Sequence, residues 1–489
     1  MKLRSISAGV GLAVAAMVSG NAMALNPSDI DGDEVVLHIS GASAQQKTLG
    51  EILAAFCAGD LHVYKDDPTT GSDGKAWRNY ACTIKTETGG ADDIPDSLEG
   101  KELLVYNRSK GGSVWGVVPV ARAWHVEYLS IGSNCSLSSG DTTSGEYLCS
   151  WDDDRSDDLV TTANGLECPQ SPADIVGKDL GSKTFCERSD GGVSDVEAAL
   201  FRGDNLPTGW AELTTELADI DTFSEYGVVF GISVTNDVRD ALIAERGATA
   251  GGFANLKKTE IQSILSGGLK SWKELDQDLA GIGAGGLGLM GVCRRVVGSG
   301  TQAAQNAQFM GTPCLTGANS GALSMVTAAD SGATYKVVEN SGSGDVIDCQ
   351  NDAFAGTGSF GFAMGAIGFN AIEKQPKAGD NWSYVAIDGV DPTVDNAKSG
   401  LYPHWYEQTF QYRNKAVGGV AAPAGDVKTA MDMIVLNSGS PTFMTAAGLS
   451  GVAALPANGH DWEAAGVDVM RGSRGGNSCQ PIVLEKDAP

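Results

Sequence analysis

Apolar residues alternate with others at Val35, Leu37 and Ile39; Ser40-Gly41-Ala42-Ser43 then intervenes, and Leu49, Ile52, Leu53 and Phe56 recur at i, i+3, i+4, i+7. The first pattern lines one face of a strand and the second one face of a helix, so this stretch reads strand, loop, helix. A similar unit follows at Leu103 to Tyr106, broken by Asn107-Arg108-Ser109-Lys110-Gly111-Gly112. A third lies at Val337-Val338, broken by Ser341-Gly342-Ser343-Gly344, with a helix expected from Asp345. Turns of this kind aim backbone N–H groups and hydroxyls outward at a helix start, where the positive dipole end suits an anion. Leu256 to Trp272 predicts another helix, with Ile261, Ile264 and Leu265 on one face, Gly267 as its stop and Trp272 in the core.

Other stretches lack periodicity. Gly132 to Ser189 is rich in Ser, Asp and Thr and holds four of the ten cysteines, which predicts a stapled insertion over about 132–189. Its acidic run Trp151-Asp152-Asp153-Asp154 reads as solvated loop, with calcium binding as the alternative, although the Gly and terminal Glu of a calcium loop are missing. Ala416 to Asp426 reads as surface, and an additional tail is expected from about Phe410. Residues 1–24 combine basic Lys2 and Arg4, an apolar stretch from Val10 to Val18 and the small-residue site Ala22-Met23-Ala24, the pattern of a cleaved signal peptide. No other apolar run approaches the roughly 20 residues of a membrane span. With no cysteine near the cleavage point for lipid attachment, the mature protein is expected in the periplasm or outside the cell.

The chain has 489 residues, 42% of them apolar, enough for two or three domains with a sizeable core. A formal charge of −27 argues against nucleic acid or an anionic membrane as partner. An even cysteine count in an oxidising compartment favours disulfides. Close neighbours suggest Cys57 with Cys82, Cys135 with Cys149, Cys168 with Cys186 and Cys293 with Cys314, which leaves Cys349 with Cys479. Zinc is the weaker alternative, since there is no C-x-x-C and the five histidines are scattered. No cofactor is expected.

Chemistry concentrates at Cys293-Arg294-Arg295-Val296-Val297-Gly298-Ser299-Gly300-Thr301, and the ten residues from Thr301 to Met310 contain no Gly or Pro. A helix starting there presents two hydroxyls and several N–H donors to one ligand, and the upstream arginine adds a planar fork for oxyanion oxygens. The alternative is that Ser299 and Thr301 only cap the helix. The P-loop pattern is absent.

This segment, with the Ser-Gly-x-x-x-x-Trp that precedes it, resembles the anion loop of the phosphate-binding periplasmic proteins of ABC transporters. Gly191-Gly192-Val193-Ser194-Asp195 resembles that family's Gly-rich loop ending in Asp, and Gly365-Ala366-Ile367-Gly368-Phe369 its return strand. Asp388-Gly389-Val390-Asp391-Pro392-Thr393 to Gly400-Leu401-Tyr402-Pro403 is similar to its late Gly-x-x-Pro-Thr and Tyr-Pro pair. The resemblance implies an α/β, two-lobed type II periplasmic-binding-protein fold with two crossover strands and the Cys-rich insertion. Lobe I would comprise 25–235 and 366–489, and lobe II 236–365.

The same resemblance implies a ligand set: Ser43, Gln45 and Gln46 in the first loop, Ser109 as hydroxyl donor, Arg295, Ser299, Gly300 and Thr301 as the cradle, and Asp195 as carboxylate acceptor. Gln45 and Gln46 depart from the family, which more often has Thr or Ser and an aromatic there. A carboxylate facing an oxyanion repels it unless a proton lies between them, so Asp195 would select phosphate-like, protonated oxyanions over sulfate. Asp195 also fits a cap for a helix over Val196 to Phe201, and Ser109 a turn. The implied function is non-catalytic capture of phosphate or a similar oxyanion, with an ABC permease as partner. The rivals are a surface protein on the same fold that has lost or changed its ligand, and a secreted phosphatase, for which G-x-S-x-G, H-E-x-x-H and a paired His-carboxylate cluster are all missing.

Overall fold

The computed structural model describes residues 25–70, 76–87, 94–138, 145–151, 168, 183–315, 321–456 and 468–484. The signal segment, Asp152 to Asp154 with the calcium alternative, and most of the insertion lie outside these residues.

The alternating residues form β1 (Val35–Gly41), followed by the helix Gln46–Phe56, whose buried face carries Leu49, Ile52, Leu53 and Phe56. The first half of the molecule continues with β2 (His62–Asp66), β3 (Arg78–Thr83), β4 (Glu102–Arg108), β5 (His125–Leu129), β6 (Cys135–Leu137), β7 (Glu146–Cys149), β8 (Thr184–Arg188) and β9 (Gly191–Ser194). Strand β1 lies between β4 and β9, parallel to both. Their C-terminal ends, and the Ser/Gly turns that leave them, therefore point the same way.

Next comes β10 (Ile220–Thr235), 16 residues long. Then follow β11 (Ala254–Leu256), β12 (Met290–Arg295), β13 (Tyr335–Asn340), β14 (Gly365–Ala371), β15 (Trp382–Ile387), β16 (Trp405–Arg413) and β17 (Val452–Ala454). The early part of β10 pairs antiparallel with β16, and the late part with β14 and β15. Strand β16 in turn pairs with β9. One sheet thus runs through β10 and β16 from the β9-β1-β4 group to the β13-β12-β14 group.

Two large apolar clusters, with two smaller ones, pack on this framework. The first centres on Leu37, Ile52, Val105, Val193 and Tyr406, and the second on Ile232, Trp272, Val292, Ile367 and Tyr402. Residues from 366 to 402, expected in lobe I, include Ile367, Phe369, Trp382 and Tyr402 of the second cluster. The cause is that β14 runs parallel beside β12. Phe410, expected to begin a tail, is interior to β16 and belongs to the first cluster with Met431 and Ile434 of the helix Gly425–Ser438.

The helix expected near Leu256 spans Lys258–Leu265 and stops before Gly267 at φ +75°, and Trp272 is fully buried, its Nε1 donating to the Gly365 carbonyl at 2.8 Å. The helix expected from Asp345 begins two residues earlier, at Ser343.

All ten cysteines are paired. Cys57–Cys82, Cys135–Cys149 and Cys168–Cys186 follow the close-neighbour expectation. The other two pairs do not: Cys293 bonds Cys349, and Cys314 bonds Cys479. Sequence proximity failed there because β12 and the helix Ser343–Ala355 pack together, bringing Cys293 against Cys349, while the chain after Met310 runs to the C-terminal segment. Among the described residues no helix is long and apolar enough to cross a membrane.

Candidate functional site

Strand alternation decides which of the two adjacent arginines enters the site. Arg294 turns toward the Val326 carbonyl and Glu339. Arg295, fully buried, turns to the other face: Nε donates to the Asn340 carbonyl at 3.2 Å, Nη1 to Ser343 Oγ at 3.1 Å, and Nη2 to the Ser341 carbonyl at 2.7 Å and Ser43 Oγ at 3.0 Å. The planar fork thereby ties β12 to the third Ser/Gly turn and to the first. Burial pulls its pKa down to about 10, against the pull of Asp195 and Asp345.

Asp195, just after β9, is 1% exposed. Its Oδ1 accepts from Gln45 Nε2 and its Oδ2 from Thr301 Oγ1, both at 3.3 Å, and its backbone N–H donates to Ser113 Oγ at 3.2 Å. The expected cap on a following helix is not formed: only the 3-10 turn Ala198–Leu200 follows, and it has no side-chain cap. Burial raises the carboxyl pKa, while Arg295 and the hydrogen bonds from Gln45, Ser113 and Thr301 oppose the rise. Guanidinium and carboxylate feel each other's charge but direct their hydrogen bonds to different partners.

The helix Gly300–Gln305 starts where expected and passes into a π-helical segment, Asn306–Met310. Ser299 caps it, its Oγ accepting from the Gln302 N–H at 3.3 Å, so the capping alternative holds for Ser299 while Thr301 turns to Asp195. Gly300 is required sterically: a Cβ there would lie 2.3 Å from Ser113 Oγ and 2.9 Å from Asp195 Cβ. Gly112, at φ +82°, would likewise place a Cβ 2.7 Å from Ser299 Cα. The Val114 N–H donates to the Gly298 carbonyl at 2.9 Å, so the turns of the two halves meet backbone to backbone.

Ser43, Gln45, Asp195, Arg295, Ser299, Gly300 and Thr301 are thus brought together. Gln46 and Ser109 instead hold each other through Gln46 Nε2 and Ser109 Oγ, with Ser109 Oγ also donating to the Ala76 carbonyl at 3.2 Å, as a turn residue does. Ser113, Ser343, Asn340 and Tyr226 join the cluster without having been singled out. Ser113 directly follows the Gly111-Gly112 pair and Ser343 lies in the third Ser/Gly turn, so both sat inside a recognised signal. Tyr226, whose hydroxyl donates to Gln45 Oε1 at 2.8 Å, carried none. Chemically, the cluster gathers a guanidinium, several hydroxyls and one acceptor carboxylate in a desolvated setting, the groups that recognise a small oxyanion, with the Arg295 fork and the Thr301 hydroxyl engaged by protein acceptors. His38 pairs with Asp190, His62 bonds the Leu25 carbonyl and His404 contacts Gln305, while His125 lies on β5.

No protein-family profile and no curated protein matches the chain. Several solved structures share its general α/β arrangement. One, from Clostridium perfringens, is described as a phosphate ABC transporter substrate-binding protein with bound phosphate; it is 13% identical at a TM-score of 0.40, over 85% of this chain and 98% of that one. An ABC-type phosphate transport receptor from Vibrio cholerae is 16% identical at a TM-score of 0.31, over 57% and 84%. PstS from Borrelia burgdorferi is 12% identical at 0.27, over 53% and 78%. Likeness this distant says nothing about ligand or transport, which have to be read from the site.

Proposed function

We propose that this is an exported, two-lobed solute-binding protein that captures phosphate or a similar protonated oxyanion between its halves, for uptake by an ABC-type transporter. The observation that carries the reading is the burial of Arg295 and Asp195 in one cluster, from opposite halves, among the hydroxyls of Ser43, Ser113 and Thr301. A guanidinium supplies charge and directional donors, and the carboxylate supplies the acceptor that a P–OH group satisfies. The five disulfides accord with an oxidising compartment outside the cytoplasm. The phosphatase reading is disfavoured because the G-x-S-x-G and H-E-x-x-H motifs are missing from the sequence.

The test is thermal unfolding with phosphate, with sulfate and without either. A ligand bound only by the folded state stabilises by RT ln(1 + [L]/Kd), about 2.7 kcal/mol at a hundredfold excess over Kd. Phosphate at millimolar concentration should raise the midpoint and sulfate should not. Equal midpoints in all three would remove the phosphate-binding reading.

A further inference from the structure

A cavity of about 790 Å³, lined by none of the residues of the Arg295–Asp195 cluster, lies between the helix Lys258–Leu265, the end of the Gly300–Met310 run and the C-terminal segment from Arg474 to Leu484. Its volume is that of a small-molecule site, roughly 300–1,000 Å³. Phe309, Met310 and Tyr406 contribute buried apolar surface to it, while Leu315 and Leu484 stay 48% and 47% exposed. Apolar side chains left half bare around a cavity mark surface that a ligand can cover.

The charge of the lining runs against that of the chain. The sequence holds 61 acidic residues against 34 basic ones, yet among the described residues no Asp or Glu lines the cavity and both charged liners are cations, Lys258 and Arg474. Arg474 is 6% exposed. Its Nη1 donates to the Trp405 carbonyl and its Nη2 to the Pro403 carbonyl at 2.9 Å, and the guanidinium stacks 4.5 Å from the Tyr406 ring centre. A guanidinium carries five N–H donors, so three have no protein acceptor among the described residues. Glu407 acts on Arg474 by its charge, but both its oxygens are taken by the backbone N–H groups of Arg474 and Gly476. His404 is pushed down to about 3 by burial and then by Arg474 and Lys258, so the two cations act on the same buried ring. A desolvated guanidinium with spare donors and no carboxylate paired to it lacks the partner that ordinarily offsets its burial.

We propose that this cavity is a second ligand site, which takes an organic anion with an apolar body, of the class of a long-chain carboxylate. The anionic head meets Arg474 and Lys258, and the body covers Phe309, Met310, Leu315 and Leu484. An inorganic anion would leave the apolar surface bare, and a cation on the same body would face two like charges. The site stands apart from the phosphate-binding reading and holds or fails independently of it.

The experiment is calorimetric titration of the full protein with dodecanoate, dodecyltrimethylammonium and acetate, each below its micelle concentration, for the wild type, Lys258→Gln and Leu484→Asp. Both substituted side chains are exposed or half exposed, so the variants are expected to keep the circular dichroism of the wild type. Dodecanoate should saturate one site, with dodecyltrimethylammonium and acetate each at least about tenfold weaker. Each variant should weaken dodecanoate about tenfold, the scale of one lost or repelling contact to a charged group. The absence of saturable dodecanoate binding overturns the proposal. So does equal binding of the cationic amphiphile or of acetate, and so does wild-type dodecanoate affinity in both variants.

Discussion

The Thr301 hydroxyl donates to Asp195 Oδ2 at 3.3 Å, joining the helix start after β12 to the loop after β9. That bond links the two halves of the molecule and satisfies a buried carboxylate. Thr301→Val keeps the branched shape and deletes the donor. The expected cost in urea unfolding is about 1–3 kcal/mol, with a smaller phosphate-induced rise in midpoint. An unchanged unfolding free energy would show that the bond contributes nothing.

Arg295 serves four acceptors with one planar group: Asn340 O, Ser341 O, Ser343 Oγ and Ser43 Oγ. The single ammonium of a lysine cannot span that set. Arg295→Lys is therefore expected to weaken phosphate binding about 100-fold in equilibrium dialysis, a loss of about 2.7 kcal/mol, with the circular dichroism of the wild type retained. Binding within twofold of wild type would exclude Arg295 from the site.

Glu197 gives the stability a pH dependence. Burial raises its carboxyl from 4.5 to about 7, although the Ser478 N–H, 2.7 Å from its Oε1, works the other way. A carboxyl whose folded pKa lies above its unfolded value adds stability that is complete below about pH 4.5 and is lost as the pH rises through about 7. Glu197→Gln, which keeps the oxygen acceptor, should be about 1–2 kcal/mol more stable than wild type at pH 8 after allowance for solvent screening. At pH 4 the two should match. Parallel stability-versus-pH curves would contradict the assignment.

The C-terminal segment is tied at several points. Arg474 N and Gly476 N each donate to Glu407, at 2.5 Å, the Arg474 guanidinium stacks 4.5 Å from the Tyr406 ring centre, and Cys479 is bonded to Cys314 beyond the Gly300–Met310 helical run. The bridge closes a loop of 165 residues in sequence separation. The double variant Cys314→Ser, Cys479→Ser should lose about 3–5 kcal/mol by the loop-entropy argument, measured by guanidinium unfolding. It should also release phosphate faster in stopped flow, because the segment connects the helical run to Glu197 and Glu407 of the first cluster's side. Unchanged stability and release would mean that the hydrogen bonds alone hold the segment.

Much of this architecture is legible along the chain because it is local. Val35, Leu37 and Ile39 show their period of two, Leu49 to Phe56 their helical spacing, and three Ser/Gly turns mark where strands hand over to helices. Arg295 and Asp195 stand out for the same reason, the one ending β12 and the other directly following β9, each beside a recognisable loop. What fails to show is whatever depends on distant pairing. Cys293 is nearer in sequence to Cys314 than to Cys349, and only the packing of the helix Ser343–Ala355 on β12 reverses the preference. Phe410 follows the late motifs and reads as tail, yet β16 places it in the first cluster between β9 and β10. Tyr226 lies 181 residues from Gln45, to which its hydroxyl donates, in a strand whose sequence carries no such signal. Ser109 and Gln46 sat in the right loops, but their side chains turn to each other.

Crystals grown with arsenate, a protonated oxyanion with phosphate's geometry and a strong anomalous scatterer, test the central claim most directly. The account predicts one strong anomalous peak within hydrogen-bond reach of Arg295, Thr301 and Asp195. A map at saturating arsenate with no peak there, or with its only peak elsewhere on the molecule, would contradict it.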